Sequence, residues 1–237
     1  MNYTGHLAFG INALKFLKQN KIVSNENIFL TGCLAPDIAR TDKKPKAVTH
    51  FRDKSPNFYT VPDLNRFISK YADRLDEDFV LGYLCHLYAD KVFSNIFLPK
   101  TAPTLDVNLK PTLLFNDSVY IKNMKDCSIY KVTDYTSDTG LYADYSKLSD
   151  DVGKFFNVPF TYEYSTEDPN MEEIDSSKLL KIQEECIKYY NESTATFYED
   201  TEDTKFIDKC KYINFIDKYS TYFASSLKEN NLDKLTS

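Results

Sequence analysis

The sequence predicts an all-α protein built as a multi-helix bundle, and three observations support this prediction. Apolar residues recur at intervals of three and four along much of the chain, which is the spacing of one face of an α-helix. The 237 residues include only 6 glycines and 9 prolines, fewer than the turns of a loop-rich all-β protein require. The composition is 42% hydrophobic and 27% charged, which is ordinary for a globular chain with a buried core.

The first two predicted helices lie in the first 40 residues. An apolar stripe at helical spacing predicts an amphipathic helix from Tyr3 to Gln19. The apolar run from Ile28 to Ala35 predicts a short buried helix that ends at Pro36 and presents Asp37 at its end. The residues at 40–55 are polar and predict a loop.

Two more helices are predicted before residue 98. Pro62 suits a first helical position, and apolar residues repeat at helical spacing as far as Leu75. The segment 76–97 opens with acidic residues, which favour a helix N-terminus, and is then apolar almost all round. A helix without a polar face is buried, so we expect this one at the centre of the protein.

The rest of the chain is harder to interpret. Three prolines interrupt 98–112, which predicts a crossover or lid loop. Short helices are predicted at 114–124 and 142–156. Ser176 and Ser177 can cap a long helix that continues to Phe197, and a last helix is predicted over 206–223.

Charge and targeting patterns exclude several classes of protein. The formal net charge of −6 lacks the basic footprint of a general nucleic-acid binder. No run approaches 18 apolar residues, and the N-terminal residues do not resemble a signal peptide. Five scattered cysteines form no C-x-x-C pair, which favours reduced thiols. We therefore predict a cytoplasmic protein without a transmembrane segment.

The sequence has only three histidines, all in the first 90 residues, and they are the main candidates for functional residues. His86 and Asp90 are four residues apart, so they share one face of the apolar helix. Burying an imidazole and a carboxylate there is costly unless they pair or bind a cation. The plainer interpretation is a hydrogen-bonded His–Asp pair inside the core.

Further polar residues favour a metal site. Asp37 ends one apolar helix, and His50 lies at the far side of the polar loop. Two imidazoles and two carboxylates from three separate elements form a mixed nitrogen and oxygen set. Zinc is the preferred ion for such a set, with manganese and iron as alternatives. Four ligands of this kind suit a catalytic site as well as a structural one.

The order of these motifs resembles a known family. His6, the segment Gly32–Asp37 (GCLAPD), Thr49-His50-Phe51 and the segment Gly82–Asp90 (GYLCHLYAD) are similar to the zinc-dependent phospholipase C domain, also called phospholipase C/D, which is related to the S1/P1 nucleases. The resemblance implies a helical bundle of that type and a phosphodiesterase with three zinc ions. It also implies that Asp37, His50, His86 and Asp90 hold the first zinc, and that His6 joins Asp90 at a second.

The chain departs from the family pattern at the other two zinc positions. Exported family members use the amine of an N-terminal tryptophan as a ligand, whereas this chain has no tryptophan and no histidine after His86. A histidine-rich third site therefore cannot form. We expect one zinc ion, with two as the upper number. The predicted division is a metal-binding half (1–97), an irregular crossover or lid region (98–175) and C-terminal helices (176–237).

Two residues are candidates for roles beyond metal binding. Asp37 is the candidate general base, because a carboxylate beside a bound cation stays ionised. The segment 37–54 holds six basic residues against three acids, and this excess could attract a phosphate. Arg52 is the candidate substrate-binding residue, since it lies two positions from His50. The alternative interpretation of the segment is a solvated basic loop.

Two functions from different classes remain open. The first is a zinc-dependent hydrolase of a phosphate ester, either a small ester or a phospholipid head group. The second is a helical binding or scaffold module that keeps one structural zinc. The missing later histidines favour the scaffold, and the basic segment beside the ligands favours the hydrolase. HD-type phosphohydrolases need an adjacent His-Asp pair, which this sequence lacks. Nothing in the sequence identifies a protein partner.

Overall fold

Ten helices and one small sheet form the part of the chain that the structure describes. The computed structural model describes residues 1–41, 43–53, 60–113, 118–133, 140–158, 163–182, 184–188 and 204–236. The helices are α1 (Tyr3–Gln19), α2 (Glu26–Ile38), α3 (Lys46–Thr49), α4 (Leu64–Lys70), α5 (Asp78–Val92), α6 (Leu98–Thr101), α7 (Leu141–Phe156), α8 (Ser176–Leu179), α9 (Lys209–Lys228) and α10 (Asp233–Thr236). The strands are β1 (Thr104–Leu105), β2 (Tyr120–Lys122) and β3 (Ile129–Lys131). The predicted all-α multi-helix fold is confirmed.

The first helix has the predicted bounds, and the second runs further than predicted. The Asn2 side chain caps α1 by accepting the Gly5 N–H at 2.9 Å. Helix α2 does not end at Pro36, because the chain stays helical to Ile38. A proline removes its own N–H from a helix and crowds the carbonyl four residues earlier, but the helical bonding resumes after it, since Ala39 N donates to Ala35 O at 2.8 Å.

The polar segment after α2 is not entirely a loop, since it contains the one-turn helix α3. Helix α4 begins at Leu64 and not at Pro62, because the Asp63 side chain is the cap and accepts the Arg66 N–H at 3.0 Å. A 3-10 turn at Ala72–Arg74 completes the predicted apolar stripe.

Helix α5 is the central helix, as predicted. Nearly all of its residues are buried, and it ends at Val92. A π-helical turn at Phe93–Phe97 then joins it to α6. The predicted single helix over 76–97 is therefore one α-helix followed by a wider turn.

The small sheet lies where the sequence analysis expected a helix. The prediction of a helix over 114–124 is wrong for 118–124; 114–117 lie outside the described residues. Strand β2 pairs antiparallel with both β1 and β3, with Ile121 opposite Tyr130. Ile121 is buried while its two neighbours are only half-buried, which is the alternation of a strand.

The C-terminal part is helical along most of the predicted length that the structure describes, including 182 and 184–188 after a turn at 180–181. Helix α7 matches the prediction, and α9 matches it with shifted ends. The prediction that Ser176 and Ser177 cap this helix is wrong. Asp175 is the capping residue of α8, because its side chain accepts the Ser177 N–H at 3.1 Å. Helix α8 ends at Leu179, and the predicted continuation at 189–197 lies outside the described residues.

Two glycines let the backbones of α2 and α5 touch. A Cβ atom at Gly32 would lie 2.3 Å from the carbonyl oxygen of Phe79, and one at Gly82 would lie 2.0 Å from that of Phe29. Helix α1 packs across this pair and also contacts α7 and α9. No described helix combines the length and the apolar character that a membrane crossing requires. The division at residues 97 and 175 stays a prediction.

Candidate metal centre

Five buried polar residues converge where α1, α2, α3 and α5 meet. His6 comes from α1 and Asp37 from the last turn of α2, while His50 follows α3 directly. His86 and Asp90 lie one turn apart on α5. They follow Gly82, where α5 touches α2, by four and eight residues. We call this set the His–Asp cluster; its members are His6, Asp37, His50, His86 and Asp90. All five are the metal-ligand candidates predicted from the sequence, and the structure places them side by side.

The cluster is almost sealed from solvent. The exposed fraction is 0% for His50 and 1% for His86, and it reaches only 7% for Asp37, the most exposed of the five. Buried imidazoles and carboxylates destabilise a fold unless they pair or share a cation. Two subsets have ligand atoms within 4.8 Å of one another and could hold a metal ion: one is Asp37, His50 and His86, and the other is His6, His86 and Asp90.

Three donor atoms lie around His50 Nε2 at distances that suit ligands of one zinc ion. From His50 Nε2, the distance is 3.1 Å to His86 Nε2, 3.3 Å to Asp37 Oδ1 and 3.6 Å to Asp90 Oδ2. Ligand atoms on a tetrahedral zinc ion, each about 2.1 Å from the metal, are roughly 3.4 Å apart. We call Asp37, His50, His86 and Asp90 the four-donor set.

Hydrogen bonds outside the cluster hold both imidazoles in the orientation that a metal requires. His86 Nδ1 lies 2.7 Å from the carbonyl oxygen of Cys33, which can only accept, so Nδ1 carries the proton and Nε2 presents its lone pair. His50 Nδ1 lies 2.9 Å from Thr49 Oγ1, which is 3.4 Å from the Lys46 carbonyl oxygen. These are the outer partners that fix a metal-binding histidine.

His6 is the least satisfied member of the cluster. Its ring stacks on His86 with centroids 3.8 Å apart. Its Nε2 is 3.4 Å from Asp90 Oδ1 and 3.8 Å from Asp37 Oδ2, yet within the described chain neither of its nitrogens makes a hydrogen bond. An unsatisfied buried imidazole facing two carboxylates fits a cation-binding group.

The three histidines are neutral at physiological pH. Burial lowers the pKa of His50 to about 3, despite its contact with Asp37. Burial, together with the adjacent His6, lowers the pKa of His86 to about 3. Burial and the nearby amino terminus also lower the pKa of His6. A metal ion can therefore bind the unprotonated nitrogen of a neutral imidazole without displacing a proton.

The two carboxylates are ionised. Burial alone would raise the pKa of Asp37, but the Lys46 ammonium and the His50 ring hold it well below its usual value. The pKa of Asp90 is also well below its usual value, because the amino terminus and His6 outweigh the effect of burial. The set thus offers two anionic oxygens and two neutral nitrogens.

Three cationic groups neutralise these acids. Lys46 Nζ is 2.8 Å from Asp37 Oδ1, and Arg52 Nη2 is 2.8 Å from Asp90 Oδ2. The Met1 amino group is 2.8 Å from Asp90 Oδ1. Sequence analysis singled out Arg52 but counted Lys46 only as one basic residue among six, since nothing in a charge run shows which lysine turns inward.

One of the comparisons with known proteins gives a match, and it falls on the segment that contains the cluster. A family model described as zinc dependent phospholipase C matches residues 5–93, and the match confirms the resemblance found in the sequence. It spans all five cluster members and none of the C-terminal helices. No curated protein and no solved structure matches the chain.

Proposed function

We propose that this protein is a zinc-dependent hydrolase of a phosphate ester, with a phospholipase C-like centre reduced to one zinc ion. The four-donor set carries the proposal, because two neutral imidazoles and two ionised carboxylates converge at ligand spacing inside the segment that matches the family. The second subset shares His86 with the first, and His86 has one free nitrogen, so a second ion would have to rely on His6 and Asp90. A phospholipid head group and a small phosphate ester are the two substrate types that this chemistry serves.

The protein's own residues would divide the work of hydrolysis. When bound, zinc acidifies a coordinated water and polarises a phosphoryl oxygen. Asp37 Oδ1 faces His50 in the ligand position, while Oδ2 lies 3.8 Å from His6 and can accept a hydrogen bond from the attacking water. Its strongly lowered pKa makes Asp37 an orienting acceptor more than a strong base.

Arg52 is the proposed binding group for the phosphoryl oxygens. Its side chain is 12% exposed and reaches Asp90 at 2.8 Å, so it stands beside the four-donor set and not in open solvent. A guanidinium can give two parallel hydrogen bonds to a phosphoryl group. This position argues against the solvated-loop interpretation for Arg52.

The rival function is a scaffold module with one structural zinc. It would need a zinc ion enclosed by four protein ligands, with no position for water. The contacts of Lys46 and Arg52 with the two acids favour the hydrolase, because a purely structural site needs no cations beside its carboxylates. The cytoplasmic location and the lack of general nucleic-acid binding stay predictions.

The test is hydrolysis of bis(p-nitrophenyl) phosphate by the full chain. We expect turnover that a chelator abolishes and that one equivalent of zinc restores. Asp37→Asn should reduce turnover by at least 100-fold. Asp53→Asn is the matched control, because Asp53 lies on the same segment, 85% exposed and paired with Arg66. Bound zinc without turnover of any phosphate ester would favour the scaffold.

A further inference from the structure

The oxygens placed to bind a metal are the same oxygens that hold the two cationic side chains. Asp37 Oδ1 is 3.3 Å from His50 Nε2 and accepts a hydrogen bond from Lys46 at 2.8 Å. Asp90 Oδ2 is 3.6 Å from the same nitrogen and accepts one from Arg52 at 2.8 Å. A metal ion bound here therefore shares both carboxylate oxygens with Lys46 and Arg52.

The charge balance of the site changes when a divalent ion arrives. The two acids and the two cationic side chains cancel, and a histidine that binds a metal is neutral. The Met1 amino group beside Asp90 leaves one positive charge in the metal-free site, and a zinc ion raises this surplus to three. The Asp90 side chain is only 4% exposed, and uncompensated charge at such depth is costly.

An anion from solvent can reduce this surplus. The Lys46 side chain is 40% exposed and that of Arg52 is 12% exposed, so Lys46 forms the solvent side of the site and Arg52 lies deeper. Arginine suits the paired oxygens of a phosphoryl group, and lysine supplies a compact second charge. An anion that carries two charges removes most of this surplus, whereas an anion that carries one leaves most of it in place.

We propose that the metal-loaded site selects a dianionic phosphoryl group, as in a phosphomonoester or inorganic phosphate, and that Lys46 and Arg52 bind it together. The inference rests on the proposed function and narrows its substrate class. A phosphodiester carries one negative charge and leaves two of the three surplus charges uncompensated. Zinc and the dianion should therefore bind with positive coupling, each raising the affinity for the other.

The test is calorimetric titration of the full chain at pH 8, loaded with one equivalent of zinc. Inorganic phosphate, which is mostly dianionic at this pH, is compared with dimethyl phosphate, a monoanion of similar shape. We expect phosphate to bind at least tenfold more tightly than dimethyl phosphate. We also expect its affinity to fall at least tenfold when zinc is removed by a chelator.

Two lysine variants assign the effect. Lys46→Met should lower phosphate affinity about tenfold and narrow the preference for the dianion, while the zinc content stays at one equivalent. Lys44→Met is the matched control, because Lys44 donates to the Ile174 carbonyl at 2.7 Å and not to the cluster. It should leave phosphate affinity unchanged. Circular dichroism confirms that both variants are folded.

The outcomes separate this inference from the proposed function. Equal affinity for the two anions in zinc-loaded protein, or equal losses in the two lysine variants, would overturn the inference and leave the zinc hydrolase standing. Failure of the folded protein to bind zinc would overturn both.

Discussion

Acid should destabilise the zinc-free protein strongly between pH 7 and pH 5, because two histidines are buried in the neutral form. The pKa of His50 and that of His86 are each about 3 in the folded protein, against about 6.5 in an unfolded chain. Between these values only the unfolded state takes up the protons. Stability is therefore highest above pH 6.5 and falls as the pH drops through this window.

The size of the effect follows from the two pKa values. At pH 5 an unfolded histidine is protonated and the buried one is not, which favours unfolding by about 2 kcal/mol per residue. The pair therefore contributes about 4 kcal/mol, a large part of the roughly 5–15 kcal/mol that stabilises a typical domain. His6, whose pKa is also lowered, adds in the same direction. The pKa values of Asp37 and Asp90 are lowered. Their contribution to the stability of the folded state is therefore lost only when the pH falls below about 4, the usual pKa of an aspartate.

The assay is urea unfolding of chelator-treated protein, followed by circular dichroism at several pH values. His86→Gln removes one of the two groups, so the loss between pH 7 and pH 5 should fall from about 4 to about 2 kcal/mol, whatever the stability of the variant at pH 7. A wild-type loss below about 1 kcal/mol, or equal losses in both proteins, would refute the argument for buried neutral histidines.

Three further predictions follow from packing and metal binding. Gly82→Ala should cost about 3 kcal/mol of unfolding free energy, because the new Cβ would lie 2.0 Å from the Phe29 carbonyl oxygen; an unchanged urea midpoint would contradict the close helix contact. Asp144→Asn should lower the free energy of unfolding by about 1.5–3 kcal/mol, because the N–H groups of 205–207 donate to the Asp144 carboxylate at 2.6–2.9 Å. The same variant should speed amide exchange at 205–207. Unchanged exchange would show that these hydrogen bonds are dispensable. Zinc at 1,000 times its Kd should stabilise the wild type by about 4 kcal/mol; no stabilisation in a thermal scan would argue against a metal site in the folded state.

The sequence predicted the helices with strong apolar periodicity and failed where local signals were weak. Helices α1, α5 and α7 have a buried stripe or are buried all round, so pattern alone locates them. The segment 118–124 is too short for periodicity to separate a strand from a helix, and its pairing with 129–131 is a tertiary contact. Pro36 misled the prediction because packing against α5 keeps the chain helical on both sides of it.

The members of the His–Asp cluster could be selected from the sequence, and their role as metal ligands stays a prediction. Polar residues in apolar helices are costly, so Asp37, His86 and Asp90 were conspicuous in the sequence. The sequence could not show where a side chain points or which atom it contacts. Lys46 resembles its neighbouring lysines until α3 turns it towards Asp37, and the acceptor for His86 is a backbone carbonyl that no residue type reveals.

Anomalous diffraction at the zinc absorption edge, from crystals grown with zinc, tests the central claim most directly. The account predicts one strong peak within about 2.1 Å of a donor atom on every member of the four-donor set, with one coordination position left to water or an anion. A well-ordered structure in which these side chains surround no peak, or in which zinc binds elsewhere, would contradict it.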